Sequence, residues 1–212
     1  LEFRISSRFI LSEGSSVKLG IQRVWQYIHM ISNTTSMSPT DVWKLSNKHI
    51  IPQRSDQLSA GFYNNSRRKA VETSIEAYYK RLDNILDYKG GAVLLMNEHL
   101  ETDIITGTGK AYGVEVMVRK QAGVLTGWIG YTWSRVLLKI DGKFKEERVN
   151  GGEYFPANYD KPHDFKLVAN ARLSRRFNIT TDFVYSTGRP ITFPVAFYNF
   201  YNAYHVFYSN RT

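Results

Sequence analysis

The sequence predicts an all-β chain laid out as an antiparallel up-and-down meander of about eight or nine strands. Three observations carry this prediction. Hydrophobic alternation with a period of two recurs along the chain, several alternating runs exceed ten residues, and the links between runs alternate between short and long. A helix would scatter alternate residues around its circumference, whereas a strand puts i, i+2 and i+4 on one face.

The elements follow in order. Residues 2–11 set Phe3, Ile5, Phe9 and Leu11 against Arg4, Ser6 and Arg8. Residues 16–31 set Val17, Leu19 and Ile21 on one face, where Arg23 then also falls, so either a bulge or a polar boundary lies there. Residues 55–65 group Leu58, Ala60 and Phe62, and residues 71–80 group Val71, Thr73, Ile75, Ala77 and Tyr79. Residues 111–119 group Tyr112, Val114, Val116 and Val118, and residues 124–138 group Leu125, Ile129, Tyr131 and Trp133. Residues 163–173 group Phe165, Leu167, Ala169 and Ala171, and residues 177–187 group Phe177, Ile179, Thr181, Phe183 and Tyr185. Tyr204–Tyr208 is the expected ninth strand.

The links at Glu13-Gly14-Ser15, 65–68, 121–123 and 174–176 are short, and those at 33–54, 87–106, 141–161 and from Ile191 onward are long. In a meander this puts every tight turn at one end and every long loop at the other. Strands of about ten residues, short turns at one rim and long loops at the other describe a transmembrane β-barrel. Strands of soluble domains average about five or six residues. Trp25, Tyr27, Tyr79, Tyr131, Trp133 and Tyr185 near strand ends suit interfacial aromatic girdles. The sequence thus predicts an open wall of eight or nine strands, part of a larger transmembrane barrel, with unpaired edges that aggregate without their neighbours.

Composition removes other classes. Of 212 residues 42% are hydrophobic and 14% aromatic, and no cysteine is present, which excludes disulfide frameworks, thiolate metal sites and cysteine nucleophiles. The longest apolar run, Ala92–Met96, falls far short of the roughly 18 residues of a membrane-spanning helix. No basic-then-apolar leader opens the chain and Leu1 is not a natural start, so the sequence reads as a piece of a longer protein. The net charge of +9 is dispersed. Its small clusters, Arg67-Arg68-Lys69 and Arg175-Arg176, sit beside turns, which argues against a nucleic-acid partner.

Several stretches carry a family resemblance. Residues 25–35 (WQYIHMISNTT) and 39–57 (PTDVWKLSNKHIIPQRSDQ, with Pro52-Gln53 and Asp56-Gln57) come first, then 75–89 (IEAYYKRLDNILDYK) and 107–116 (GTGKAYGVEV). Residues 127–135 (GWIGYTWSR), 159–165 (YDKPHDF) and 187–190 (TGRP) complete the ordered series. Together they resemble the barrel of TonB-dependent outer-membrane receptors, specifically the class with a carboxypeptidase-regulatory-like N-terminal module. The resemblance spans essentially the whole chain, 1–212, as a partial barrel. It implies a 22-stranded barrel with the plug, N-terminal module and final strands absent here. It implies residence in the Gram-negative outer membrane and active import of a scarce large nutrient: siderophore, cobalamin, glycan or peptide. The implied partners are outer-membrane lipid, the plug of the same parent chain, TonB through the absent N-terminal part, and a surface lipoprotein. No cofactor is implied.

Catalytic motifs do not assemble. Gly107-x-Gly109 followed by Gly113 misses the dinucleotide spacing, and Ile104 stands where a P-loop glycine is needed. His163 and Asp164 point to opposite faces of a strand, and no nucleophile elbow accompanies them. Glu72 and Glu76 share a face but lie about 13 Å apart along the strand, too far for glycoside chemistry. Histidines 29, 49, 99, 163 and 205 lack metal-ligand spacing. The chain therefore reads as non-enzymatic.

The candidate site residues are polar positions opposite the apolar face: Glu72, Glu76, Lys80, Glu115, Arg119, Asp164, Lys166, Asn170, Arg172 and Asp182. A charge facing lipid at mid-membrane costs about 2–4 kcal/mol, so these are expected to face the lumen and contact the plug. Trp43, Tyr154, Phe155 and Tyr159 are candidate cargo contacts in the long loops. Trp128 is a weaker one, because it lies near a short turn. The rival reading from a different class is a soluble all-β surface module that grips glycans with its aromatics.

Overall fold

Alternation of β-branched and aromatic residues with polar ones favours extended backbone with one buried or lipid-covered face. The computed structural model describes residues 1–31, 42–66, 70–89, 103–144, 147–200 and 203–210. The wall consists of β1 (Phe3–Ile10), β2 (Ser15–Gln26), β5 (Gln53–Ser66), β6 (Val71–Tyr88), β7 (Ile104–Lys120), β8 (Leu125–Lys139), β10 (His163–Arg172) and β11 (Asn178–Ser186). They pair in that order, each antiparallel to its neighbour. A two-residue strand, β9 (Phe155–Pro156), extends the sheet beside the loop end of β8. Among the described residues β1 pairs only with β2 and β11 only with β10, so the sheet is an open wall.

Two expectations are corrected. The run 16–31 breaks at Tyr27, and β3 (Ile28–Ile31) forms a separate hairpin with β4 (Val42–Leu45), so the long link after β2 contains structure. Tyr204–Tyr208 is not a ninth wall strand. It lies in β13 (Ala203–Tyr208), which among the described residues pairs only with β12 (Pro194–Phe200), in a stretch expected to be loop. The composition of 194–200, two β-branched or apolar residues followed by three aromatics, supplies β propensity without alternation. The basic cluster at 67–69, the apolar run 92–96 and the central parts of the loops at 32–41 and 90–102 lie outside the described residues.

The register settles the position of Arg23. No shift interrupts β2 against β1 or β5, so there is no bulge. Arg23 instead meets Asp56 directly across the sheet in a bidentate pair of 2.5 and 3.0 Å. The bulge lies elsewhere, in β6 between Asp83 and Ile85. There Asn84 adopts φ 60°, the left-handed region that asparagine tolerates better than most residues, and its amide bonds to the Pro52 carbonyl at 3.0 Å.

A small apolar core closes the loop end. Ile105, Ile140 and Phe155 are buried there and pack with Leu138 and Val149. The segment 140–162 is also latched by Asp160, which is 1% exposed. Its carboxylate accepts the Val136 N–H at 2.7 Å and pairs with the Arg135 guanidinium at 3.0 Å. Asp160→Ala is expected to cost about 1.5–3 kcal/mol, the range for hydrogen bonds to a charged group. It should make 140–162 the first site of proteolysis in the full-length protein. Asp160→Asn, which keeps an acceptor for Val136, should cost less, and equal cleavage rates in wild type and Asp160→Ala would refute the latch.

Candidate functional site

Register converts the strand alternation into two chemically distinct faces. On one face β6 runs Val71, Thr73, Ile75, Ala77, Tyr79, Arg81, Asp83 toward the loop end. The same succession occurs on its neighbours: Leu58, Asp56, Arg54 on β5; Tyr112, Lys110 on β7; Trp133, Arg135 on β8. Apolar residues give way to aromatic ones and then to charges. Below the charged rows no Asp, Glu, Lys or Arg of the wall strands points to this face except Lys120 at the turn end. Val71 to Tyr79 spans about 26 Å at about 3.3 Å per residue, or about 20 Å of height at a tilt of about 40°. Ile5, Leu19, Ile21, Leu58, Ile75 and Phe183 are each exposed on it. Tyr112 and Trp133 pack at 5.9 Å, and the Tyr131 hydroxyl meets His163 Nδ1 at 2.8 Å, which builds the aromatic row.

The charged rows form a ladder. Arg54 joins Asp83, Arg54 Nε lies 3.5 Å from Asp56, and Arg81 reaches Asp83 at 3.2 Å. Arg23 stacks over Phe3 and Arg54 over Trp25, so the cations share the face with aromatic rings. Lys110 sits 4.1 Å from the Tyr154 ring.

The opposite face carries all ten polar residues singled out in the sequence. Glu72 lies across from Arg119, Glu76 across from Glu115, and Asn170 across from Thr180, with an amide-to-hydroxyl contact of 3.3 Å. Asp164 and Lys166 pair at 3.0 Å. Asp182 shares a row with Val168 and Trp128, so the face is mixed rather than uniformly polar. Arg172 sits near the turn, across from Asn178. The direct opposition of Glu76 and Glu115 depends on register and is not legible in the sequence, which shows only that Glu76 shares a face with Glu72. Glu76 is bonded by the Tyr63 hydroxyl.

Aromatic side chains on this face lie across glycines. A Cβ at Gly61 would stand 3.0 Å from the Tyr63 ring, and one at Gly113 would stand 3.1 Å from the Tyr78 ring. At Gly61 the close approach is that of a ring, and at Gly113 it is that of the Trp133 carbonyl as well as the ring. Toward the loop end, Gln26, Gln53, Gln57, Tyr78, Lys80 and Glu115 line a groove of about 530 Å³ that Tyr159 borders. Gln57 and Gln22 are hydrogen-bonded at 3.0 Å.

The loop aromatics divide. Tyr159 borders the groove, and Trp43 is 67% exposed on the β3–β4 hairpin. Phe155 is 1% exposed and fills the core beside Ile105 and Ile140. It therefore presents no surface to a cargo. Tyr154, one residue away, turns to the apolar face under Lys110 and is also removed from the groove. Trp128 lies across from Arg119 and Val168 near the turn end of the polar face, as the sequence suggested.

Within the hairpin, His29 docks β3 onto the end of β4: it is buried, and its Nε2 lies 2.9 Å from the Ser46 hydroxyl. Burial holds its pKa below the ordinary imidazole value. The unfolded segment therefore takes up a proton first, so the docked state is most stable above about pH 6.5 and loses stability as pH falls through the folded value. Corrected for the intrinsic exchange rate, the protection of amides 28–31 should fall between pH 7.5 and 5 by more than it does in a His29→Gln variant, and identical pH profiles of protection would refute this.

No protein-family model and no curated protein sequence matches the chain. Among solved structures it is similar to the ferric-catecholate import receptor Fiu of Escherichia coli K12 in its closed form. The TM-score is 0.59 at 14% identity over 85% of this chain. The chain spans 24% of that receptor's length. The shared feature is the fold, an antiparallel meander of the kind that makes the wall of a TonB-dependent barrel.

Proposed function

We infer that this chain is a stretch of outer-membrane barrel wall from a TonB-dependent receptor, of the class with a carboxypeptidase-regulatory-like module. The parent protein imports a scarce large nutrient, among siderophores, cobalamin, glycans and peptides. The observation that carries this reading is the face on which apolar, aromatic and charged rows succeed one another across β5 to β8. Water-facing surfaces rarely expose apolar patches of more than a few hundred Å². A bilayer covers such a face, with aromatics at its interface and charges beyond it.

On this reading the opposite face lines the lumen. Glu72, Glu76, Glu115, Arg119, Asp164 and Lys166 meet the plug, and Lys80, Asn170, Arg172 and Asp182 complete the wetted wall. Trp43 and Tyr159 are the loop aromatics available to a cargo. TonB acts through the plug, and this chain performs no covalent chemistry. A soluble glycan-binding module would need a second layer over the apolar face, and among the described residues none covers it.

Topology on intact cells tests the reading. Tags at Asn47 and Asn150, in the long links, should be labelled from outside, whereas one at Asn65 should be labelled only after lysis. The reverse pattern would defeat the orientation. Uptake of a panel of labelled ferric siderophores, cobalamin and oligosaccharides by cells carrying the full-length protein should be lost without functional TonB. TonB-independent uptake would indicate a passive pore.

A further inference from the structure

The charged ladder lies on the wrong side of the wall to meet a cargo. Arg54, Arg81, Asp83 and Lys139 line a groove of about 440 Å³ together with Thr106 and Thr108. By register Arg54, Arg81, Asp83, Thr108 and Lys139 belong to the apolar face, directly beyond its aromatic row. Whatever fills this groove meets the protein at the depth where a lipid headgroup sits. The inference rests on the outer-membrane reading above.

We propose that this outward groove, lined by Arg81 and Lys139 and with Lys110 beside it across from Arg81, binds the phosphorylated headgroup of an outer-leaflet lipid. Its carboxylates orient the cations without exhausting them. Arg81 is 66% exposed and gives one hydrogen bond, to Asp83, leaving most of a guanidinium fork that presents about five donors. Lys110 is held by the Tyr154 ring, not by a carboxylate, and is cross-strand to Arg81. Lys139 lies 3.6 Å from Asp141 and is cross-strand to Thr108. Arg81 and Lys139 stand two strands apart and two residues out of register, about 12 Å between their backbone positions. That spacing suits a headgroup whose phosphate oxygens reach several donors, with the threonine hydroxyls adding neutral bonds. Arg54 is committed to Asp83 and Asp56 and acts as a positioning residue. Acyl chains below the phosphate would lie against Tyr79, Tyr112 and the apolar rows.

The test uses the full-length receptor, purified in detergent and stripped of lipid. Bisphosphorylated lipid A is titrated against it in mixed micelles, beside the same lipid A after dephosphorylation, with inorganic phosphate as competitor. The wild type should prefer the phosphorylated form, with affinity that falls as salt rises. Each cation near an anionic lipid surface is worth about fivefold, so R81Q/K110Q/K139Q should weaken binding about a hundredfold. Should the triple variant not fold, Arg81→Gln alone, at an exposed position, should lose about fivefold. Equal binding of the two lipid A forms, or unchanged affinity in the variants, would overturn the site. So would complete displacement by millimolar inorganic phosphate, which would make free phosphate the ligand. Fractionation of the same cells keeps the two inferences apart. A receptor found in the outer membrane that ignores lipid phosphate refutes this groove alone, and one absent from that membrane refutes the wall.

Discussion

Ala77→Arg should nearly abolish the assembled receptor in the outer-membrane fraction, at a cost of about 2–4 kcal/mol in the folded wall. Ala77 lies on β6 in the middle of the apolar face, between Ala60 of β5 and Val114 of β7. Only the row of Leu58, Tyr79 and Tyr112 separates it from the paired charges of Arg23, Asp56 and Arg81. The row of Asp56 stands about 13 Å along the strand, however, and Asp56 is already bidentate with Arg23. Glu76→Arg, on the adjacent residue and opposite face, relieves the like charge of Glu115 and should be tolerated far better. In a water-facing sheet both substitutions would be surface changes worth within about 0.5 kcal/mol. Equal amounts of the two variants in the membrane would remove the reason to assign this face to lipid.

Gly113→Val should lower the urea midpoint of the full-length receptor by the equivalent of about 1–3 kcal/mol, the usual cost of overpacking. A Cβ there would lie 2.7 Å from the Trp133 carbonyl oxygen, 2.9 Å from Ser134 Cβ and 3.1 Å from the Tyr78 ring. The carbonyl belongs to the backbone of the paired strand and cannot step aside, whereas the ring can. Adding Tyr78→Ala should therefore recover part of the loss but not all of it. A double variant no more stable than Gly113→Val would mean that the ring does not press on this glycine.

The strand alternation was legible because its period is a local property. Every wall strand from β1 to β11 falls on a run whose odd or even members are apolar, and the ten polar residues sort to one face for the same reason. Cross-strand partners were not legible, since register depends on pairs far apart in sequence. The opposition of Glu76 to Glu115 and the match of Arg23 to Asp56 both emerge only once β5, β6 and β7 are aligned. Asn84 carried a signal, as one of the few residue types at ease in the left-handed region, but not one that locates a bulge. The loops were least legible. Phe155 and Tyr159 look alike as loop aromatics, and only the fold of 140–162 sends the first into the core and leaves the second at the groove. The hairpin of β12 and β13 lacks the alternation that revealed the wall, and among the described residues its strands, like β3 and β4, pair only with each other.

The central claim is that one face of this wall meets lipid and the other meets water. These 212 residues contain no cysteine, so each can take a single introduced label once any cysteine elsewhere in the full-length receptor is replaced. Spin labels placed one at a time from residue 71 to residue 80 of β6, in the full-length receptor reconstituted in bilayers, report access to oxygen and to a water-soluble nickel complex. A period of two is expected in oxygen access, with Val71, Thr73, Ile75, Ala77 and Tyr79 open to oxygen and closed to nickel, Glu72, Ser74, Glu76, Tyr78 and Lys80 closed to oxygen, and Lys80 of the wetted wall open to nickel. Access to the nickel complex at both sets, without alternation, would contradict it.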